Sequence, residues 1–142
     1  FRLGRAEVLS GGPGPADVAL LATGTAAAAA VAAAALLRAD GIDVTVVVAP
    51  SLAPAPIDDL IEVLAGVPLA VTVEPHHATG GLGTLVAEVV ADHGLGCRLV
   101  RQGVRLEPGG PVGSQAWFEG RAGLTPEAIA AAARTGREAG RG

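Results

Sequence analysis

Apolar and polar positions along the chain follow two rhythms. Val18–Ala22 is an unbroken apolar run of strand length, the pattern of a strand covered on both faces. Residues 44–49 (Val-Thr-Val-Val-Val-Ala) are rich in β-branched side chains, which favour a strand. Residues 69–73 and Arg98–Val104 read as further strands, and residues 5–9 as a short, weakly alternating one. Between them the period changes. Residues 25–37 are nearly all alanine, with Val31, Leu36 and Leu37, and alanine is the best helix former. That helix should end near Asp40-Gly41, where glycine suits the position past a helix end. Ile57, Leu60, Ile61 and Leu64 fall on one helical face. Leu82, Leu85, Val86, Val89 and Val90 form a core-facing stripe on a helix over residues 82–93. Thr125 and Pro126 are suited to cap and begin a last helix.

Glycine and proline mark the breaks. Residues 11–15 and 50–56 read as loops, as do residues 74–83 and the segment 107–123, which holds the Trp117-Phe118 pair. Residues 136–142 read as a frayed tail. The resulting order is β, β, α, β, α, β, α, β, α. Strands alternating with helices imply a mostly parallel sheet with helices on both faces. There is no internal repeat and no sign of a second domain, so residues 1–142 are expected to form one domain, with an ordered core over 5–134 and a flexible tail over 135–142.

Composition narrows the functional classes. The 142 residues are half apolar but only 2% aromatic, so alanine, valine and leucine build the core. The single cysteine, Cys97, excludes an intrachain disulfide and any zinc site built on several cysteines. A net charge of −4 argues against nucleic acid as the main partner. The alanine segment is too short for a membrane span, which needs about 20 apolar residues. It also lacks the basic run of a signal peptide. The expectation is a soluble, cytoplasmic protein. All ten basic residues are arginine, which suggests a GC-rich source; with Phe1 first and no methionine, the sequence reads as an excised or processed piece.

Three motifs bear on chemistry. Glu74-Pro75-His76-His77 lies at a strand end, where α/β folds often bind ligands. His76 and His77 are adjacent, so on extended backbone they point opposite ways. His93 is the one remaining histidine and lies a helix away, so no metal site is expected. Gly80-Gly81-Leu82-Gly83 precedes a helix. It could present bare N–H groups to an anion, or let backbone pack closely on a neighbour. It does not fit a dinucleotide-binding pattern, and a lysine-free chain has no P-loop lysine. No serine lies in a nucleophile elbow. Cys97 has apolar neighbours and should be buried and unreactive. Arg98 and Arg101 should face opposite sides of their strand.

Taken in order, these segments resemble the C-terminal domain of transketolase-like enzymes. The resemblance rests on Asp17-Val18-Ala19-Leu20-Leu21-Ala22-Thr23-Gly24, the alanine helix, Gly41-Ile42-Asp43-Val44, and Val73-Glu74-Pro75-His76 with Gly80-Gly81-Leu82-Gly83. Residues 99–103 and Gly123-Leu124-Thr125-Pro126-Glu127-Ala128-Ile129 continue it, so that it spans residues 5–134. Transketolase and deoxyxylulose-phosphate synthase are nearest in pattern, and the β subunit of 2-oxo acid dehydrogenase E1 is more distant. Two features depart from the family: a longer loop at 11–15, and an acidic residue displaced to Asp58-Asp59.

The resemblance implies a three-layer α/β/α fold on a five-stranded mixed sheet whose first strand is antiparallel. It implies a parent enzyme that transfers a two-carbon ketol unit between sugar phosphates with thiamine diphosphate and Mg²⁺. In that family the cofactor binds between two other domains, one of which carries a Gly-Asp-Gly motif absent here. The chain alone is therefore expected to bind no cofactor or metal and to hold no catalytic residue. Its expected role is assembly with the cofactor-binding domains or subunits and with copies of itself, whether excised or encoded as a separate subunit. Glu74, His76, His77, Gly80, Gly81 and Gly83 are the expected interface. Two alternatives are a docking module of the dehydrogenase β type and a stand-alone anion binder using the helix end at Gly80–Gly83.

Overall fold

The computed structural model describes residues 2–12, 14–105, 110 and 113–140. Five strands form one sheet: β1 (Glu7–Ser10), β2 (Val18–Ala22), β3 (Val44–Val48), β4 (Leu69–His77) and β5 (Arg98–Val104). Their spatial order is β1-β3-β2-β4-β5. β1 pairs antiparallel with β3 and every other pairing is parallel, which matches the mixed sheet that the resemblance implies.

The helices are α1 (Ala26–Ala39), α2 (Ile57–Ala65), α3 (Leu82–Asp92), α4 (Gln115–Arg121) and α5 (Pro126–Ala139). The strand side chains divide by parity. Val18, Leu20, Val71 and Val73 join Ala30, Ala33, Ala34, Ile129 and Ala133 in a core under α1 and α5. Ala19, Leu21, Ala70 and Val47 join Leu60, Leu64, Leu82 and Val86 under α2 and α3. This is a three-layer α/β/α arrangement. All five residues of β2 are buried, which explains why the sequence shows an apolar run there and no alternation.

Alanine sets the α1–α5 contact. Ala30, Ala33, Ala34, Ala130 and Ala133 are fully buried, and side chains of one carbon let two helices approach closely. Two ion pairs flank this layer: Arg134 with Asp40 at 2.6 Å and Arg137 with Asp17 at 3.3 Å.

Three expectations need correction. The segment 107–123 is not loop throughout, because α4 lies within it; Ser114 caps that helix by accepting from the Trp117 N–H at 3.2 Å. Residues 107–109 and 111–112 of that segment lie outside the described residues, as do Leu106, Pro13 in the first loop and residues 141–142. The second correction is at the last helix, which runs to Ala139, so residues 135–139 are helical rather than tail. The third is at β4, which extends past Val73 to His77 across Pro75. Its register against β5 shifts between Glu74 and His77, so the strand bulges where Pro75 offers no N–H to the ladder.

Candidate functional site

The carboxyl ends of β2, β4 and β5 meet on one side of the sheet. β2 lies between β3 and β4, so its following connection leads one way and β4 lies on the other. Crevices at such points are where open α/β sheets commonly bind ligands. A cleft of about 260 Å³ opens here, with Thr25, Pro75, Val104, Phe118, Glu119 and Leu124 among its walls.

At the centre of this end stands Glu74. Parity on β4 turns Ala70, Thr72 and Glu74 toward α3. The Glu74 side chain is fully buried. Leu82 N–H donates to its Oε2 at 2.8 Å, and Gly83 N–H donates to its Oε1 at 3.0 Å. A carboxylate at a helix N-terminus satisfies unpaired amides and complements the helix dipole. The next two amides, of Thr84 and Leu85, donate to the Gly81 carbonyl, both at 3.1 Å. The first four N–H groups of α3 are thus bonded within the chain. The helix end offers no open amide cradle to an external anion, which removes the basis for the stand-alone anion-binding alternative.

The glycines follow from the same carboxylate. A Cβ on Gly81 would collide with Glu74 Oε2 and His76 Cε1. One on Gly83 would lie 2.7 Å from Arg101 Cδ, 2.9 Å from Thr72 Oγ1 and 3.0 Å from Glu74 Oε1. Close packing, rather than an open anion cradle, accounts for both. Gly80 differs: it has φ +80° and open space around its would-be Cβ, so it is glycine for backbone conformation. Its N–H donates to Thr84 Oγ1 at 2.9 Å.

The six residues expected at an interface therefore separate. Glu74, Gly81 and Gly83 are buried and bonded or packed inside the chain. For Glu74, hydrogen bonding across an interface gives way to capping α3, since its carboxylate has no exposed surface. His76, His77 and Gly80 are exposed and remain available to a partner. His76 Nδ1 lies 3.3 Å from Glu74 Oε2.

His93 caps the far end of α3, 11 residues of helix from this site, or about 16 Å at 1.5 Å per residue. No group of three potential metal ligands converges among the described residues. Cys97 is buried, and desolvation pushes its thiol up to about 11. Arg101 meets the α3 side at Gly83, while Arg98 lines the opposite side near Arg137 and Gly140, as their spacing requires. The sequence reading missed the inward role of Glu74. The available signal was an acidic residue in a strand-end position eight residues ahead of a helix whose entrance holds no side-chain cap.

Residues 4–129 match the family described as "Transketolase, C-terminal domain". One of the subunits of the apulose-4-phosphate transketolase of Actinobacillus succinogenes is 39% identical over 104 residues, covering 73% of this chain and 32% of that protein. The 1-deoxy-D-xylulose-5-phosphate synthase of Symbiobacterium thermophilum is 37% identical over 131 residues, covering 90% of this chain and 19% of the enzyme. Among solved structures, a "Split gene transketolase, inactive beta4 tetramer" superposes with TM-score 0.83 at 33% identity over 97% of this chain and 43% of its own. The chain spans about a third of the Actinobacillus relative and a fifth of the synthase.

Proposed function

Since this chain belongs to the transketolase C-terminal domain family, we propose that it is the assembly domain or subunit of a thiamine-diphosphate-dependent transketolase. The parent reaction is transfer of a two-carbon ketol unit between sugar phosphates. The observation that supports this most is the near-complete overlap with a separately encoded transketolase piece, at 97% of the chain. A cytoplasmic location goes with this reading, and no described helix is long and apolar enough to cross a membrane.

Thiamine diphosphate and Mg²⁺ belong to other domains or subunits in this reading. The described residues of this chain do not fit that group: no three metal-ligating side chains converge, and the α3 amides are bonded to Glu74 and Gly81. This chain's part is mechanical. Glu74 fixes the start of α3, and the strand end then offers His76, His77 and Gly80 to the cofactor-binding partner or to another copy.

The test is co-expression with the cofactor-binding frame encoded upstream or beside it, followed by size-exclusion chromatography and a ketol-transfer assay. A joint complex whose activity needs both pieces is expected. Full activity of the partner without this chain would overturn the reading. Within an assembled complex, His76→Ala and His77→Ala should each weaken association. Unchanged association in both would remove this end from the interface.

A further inference from the structure

The surroundings of His76 fix more than its position. Its Nδ1 faces two oxygens, Glu74 Oε2 at 3.3 Å and the main-chain carbonyl oxygen of His77 at 3.2 Å. Carboxylate and carbonyl oxygens only accept hydrogen bonds. A bare lone pair on Nδ1 would confront both oxygens at close range, whereas an Nδ1–H is attracted to both. A neutral imidazole carries one ring proton, so placing it on Nδ1 leaves Nε2 with the lone pair. This is the reverse of the form a free histidine side chain prefers in water.

Nε2 has no partner among the described hydrogen bonds of this half-exposed side chain. Cε1 lies against Gly81, where a Cβ would overlap it, and the side chain is 47% exposed. The described hydrogen bonds of the ring involve Nδ1 alone. The other groups about the carboxylate are the α3 amides, the buried Thr72 hydroxyl on β4 and Arg101 on β5, whose Cδ shares the Gly83 contact with Glu74.

We infer that Glu74 and the His77 carbonyl hold His76 as the Nδ1–H tautomer and present Nε2 as a hydrogen-bond acceptor for an N–H or O–H donor of the cofactor-binding partner that docks here. The tautomer stands on the geometry of this chain, and the docked donor rests on the proposed assembly function. Histidines that work through one ring nitrogen are commonly oriented by a carboxylate or carbonyl on the other.

The tautomer is read by nitrogen-15 NMR of this chain at a pH where His76 is neutral, with His77→Gln used for assignment. A protonated-type Nδ1 and an unprotonated-type Nε2 are expected. In Glu74→Gln, the new amide can donate toward the ring, and the population should shift toward Nε2–H. A wild-type His76 carrying its proton on Nε2 would overturn the inference, whatever the variant does.

The docked donor is read from association constants of the assembled complex by sedimentation. His76→Gln keeps an acceptor oxygen at the end of the side chain, whereas His76→Phe keeps the ring and loses the acceptor. Association at least fivefold weaker for Phe than for Gln is expected. Equal constants would overturn the acceptor role while leaving the assembly function standing. Absence of any complex in the wild type would overturn that function together with the docked donor, and the NMR result would still decide the tautomer.

Discussion

Replacing Gly81 by alanine drives a methyl group into the Glu74 carboxylate and the His76 ring. Crowding of this kind typically destabilises by about 1–3 kcal/mol. Gly80→Ala meets nothing nearby, and its penalty is the left-handed backbone alone, roughly 1–2 kcal/mol. Urea titration will find both variants weakened, but only Gly81→Ala should move the His76 NMR signals. Glu74→Ala leaves two α3 amides without their acceptor. At about 1–3 kcal/mol for each buried donor left unsatisfied, it should be the most damaging of the three; a loss smaller than that of Gly80→Ala would show that Glu74 does not hold the helix. Cys97 is protected by burial, which pushes its thiol up to about 11. Its folded value is raised, so this contribution is full below the ordinary thiol range and is lost as pH rises toward the folded value. At neutral pH a thiol reagent should therefore label Cys97 only as fast as the protein opens.

At the scale of elements, what could be read from the sequence follows burial. β2, β3 and the first five residues of β4 are covered on both faces, so their apolar runs match their limits closely. The stripes on α2 and α3 are equally plain, because each helix buries one side and wets the other. The misses occur where that contrast fails. α4 buries no residue, so it leaves no apolar period, and its one local sign is the Ser114 cap. The far end of β4 contains Pro75, which reads as a break, yet the strand bulges past it and continues. Glu74 was legible as a strand-end carboxylate, but its inward direction depends on parity along β4 and on where α3 begins. Two changes probe the helices directly. Thr125→Ala removes the acceptor for the Ala128 N–H and should cost about 1 kcal/mol by thermal unfolding. Ala33→Leu places three extra carbons in the fully buried α1–α5 contact and should cost roughly 1–3 kcal/mol. A neutral Ala33→Leu would mean that the two helices can separate without penalty.

For the whole molecule, the antiparallel β1 is held from outside the sheet as well as by it. Arg5 Nε donates to Asp59 on α2 at 2.9 Å, Arg5 Nη2 donates at 2.8 Å, and the Ala6 N–H donates to the same carboxylate at 2.6 Å. The Arg5 hydrogen bond holds the Asp59 carboxyl below its usual range. A lowered folded value stabilises above the ordinary carboxylate range, and that stabilisation is lost as pH falls through the folded value. Arg5→Ala should thus weaken the protein at neutral pH and make progressively less difference in acid, as urea midpoints across pH will report. β2 has a different consequence. It is the second strand of this domain in chain order, yet both of its neighbours, β3 and β4, come later in the chain. During translation it must wait, wholly apolar, until residues 69–73 have left the ribosome. A nascent chain stalled before that point leaves one edge of this hydrophobic strand unpaired, which a chaperone should grip and then release once β4 arrives.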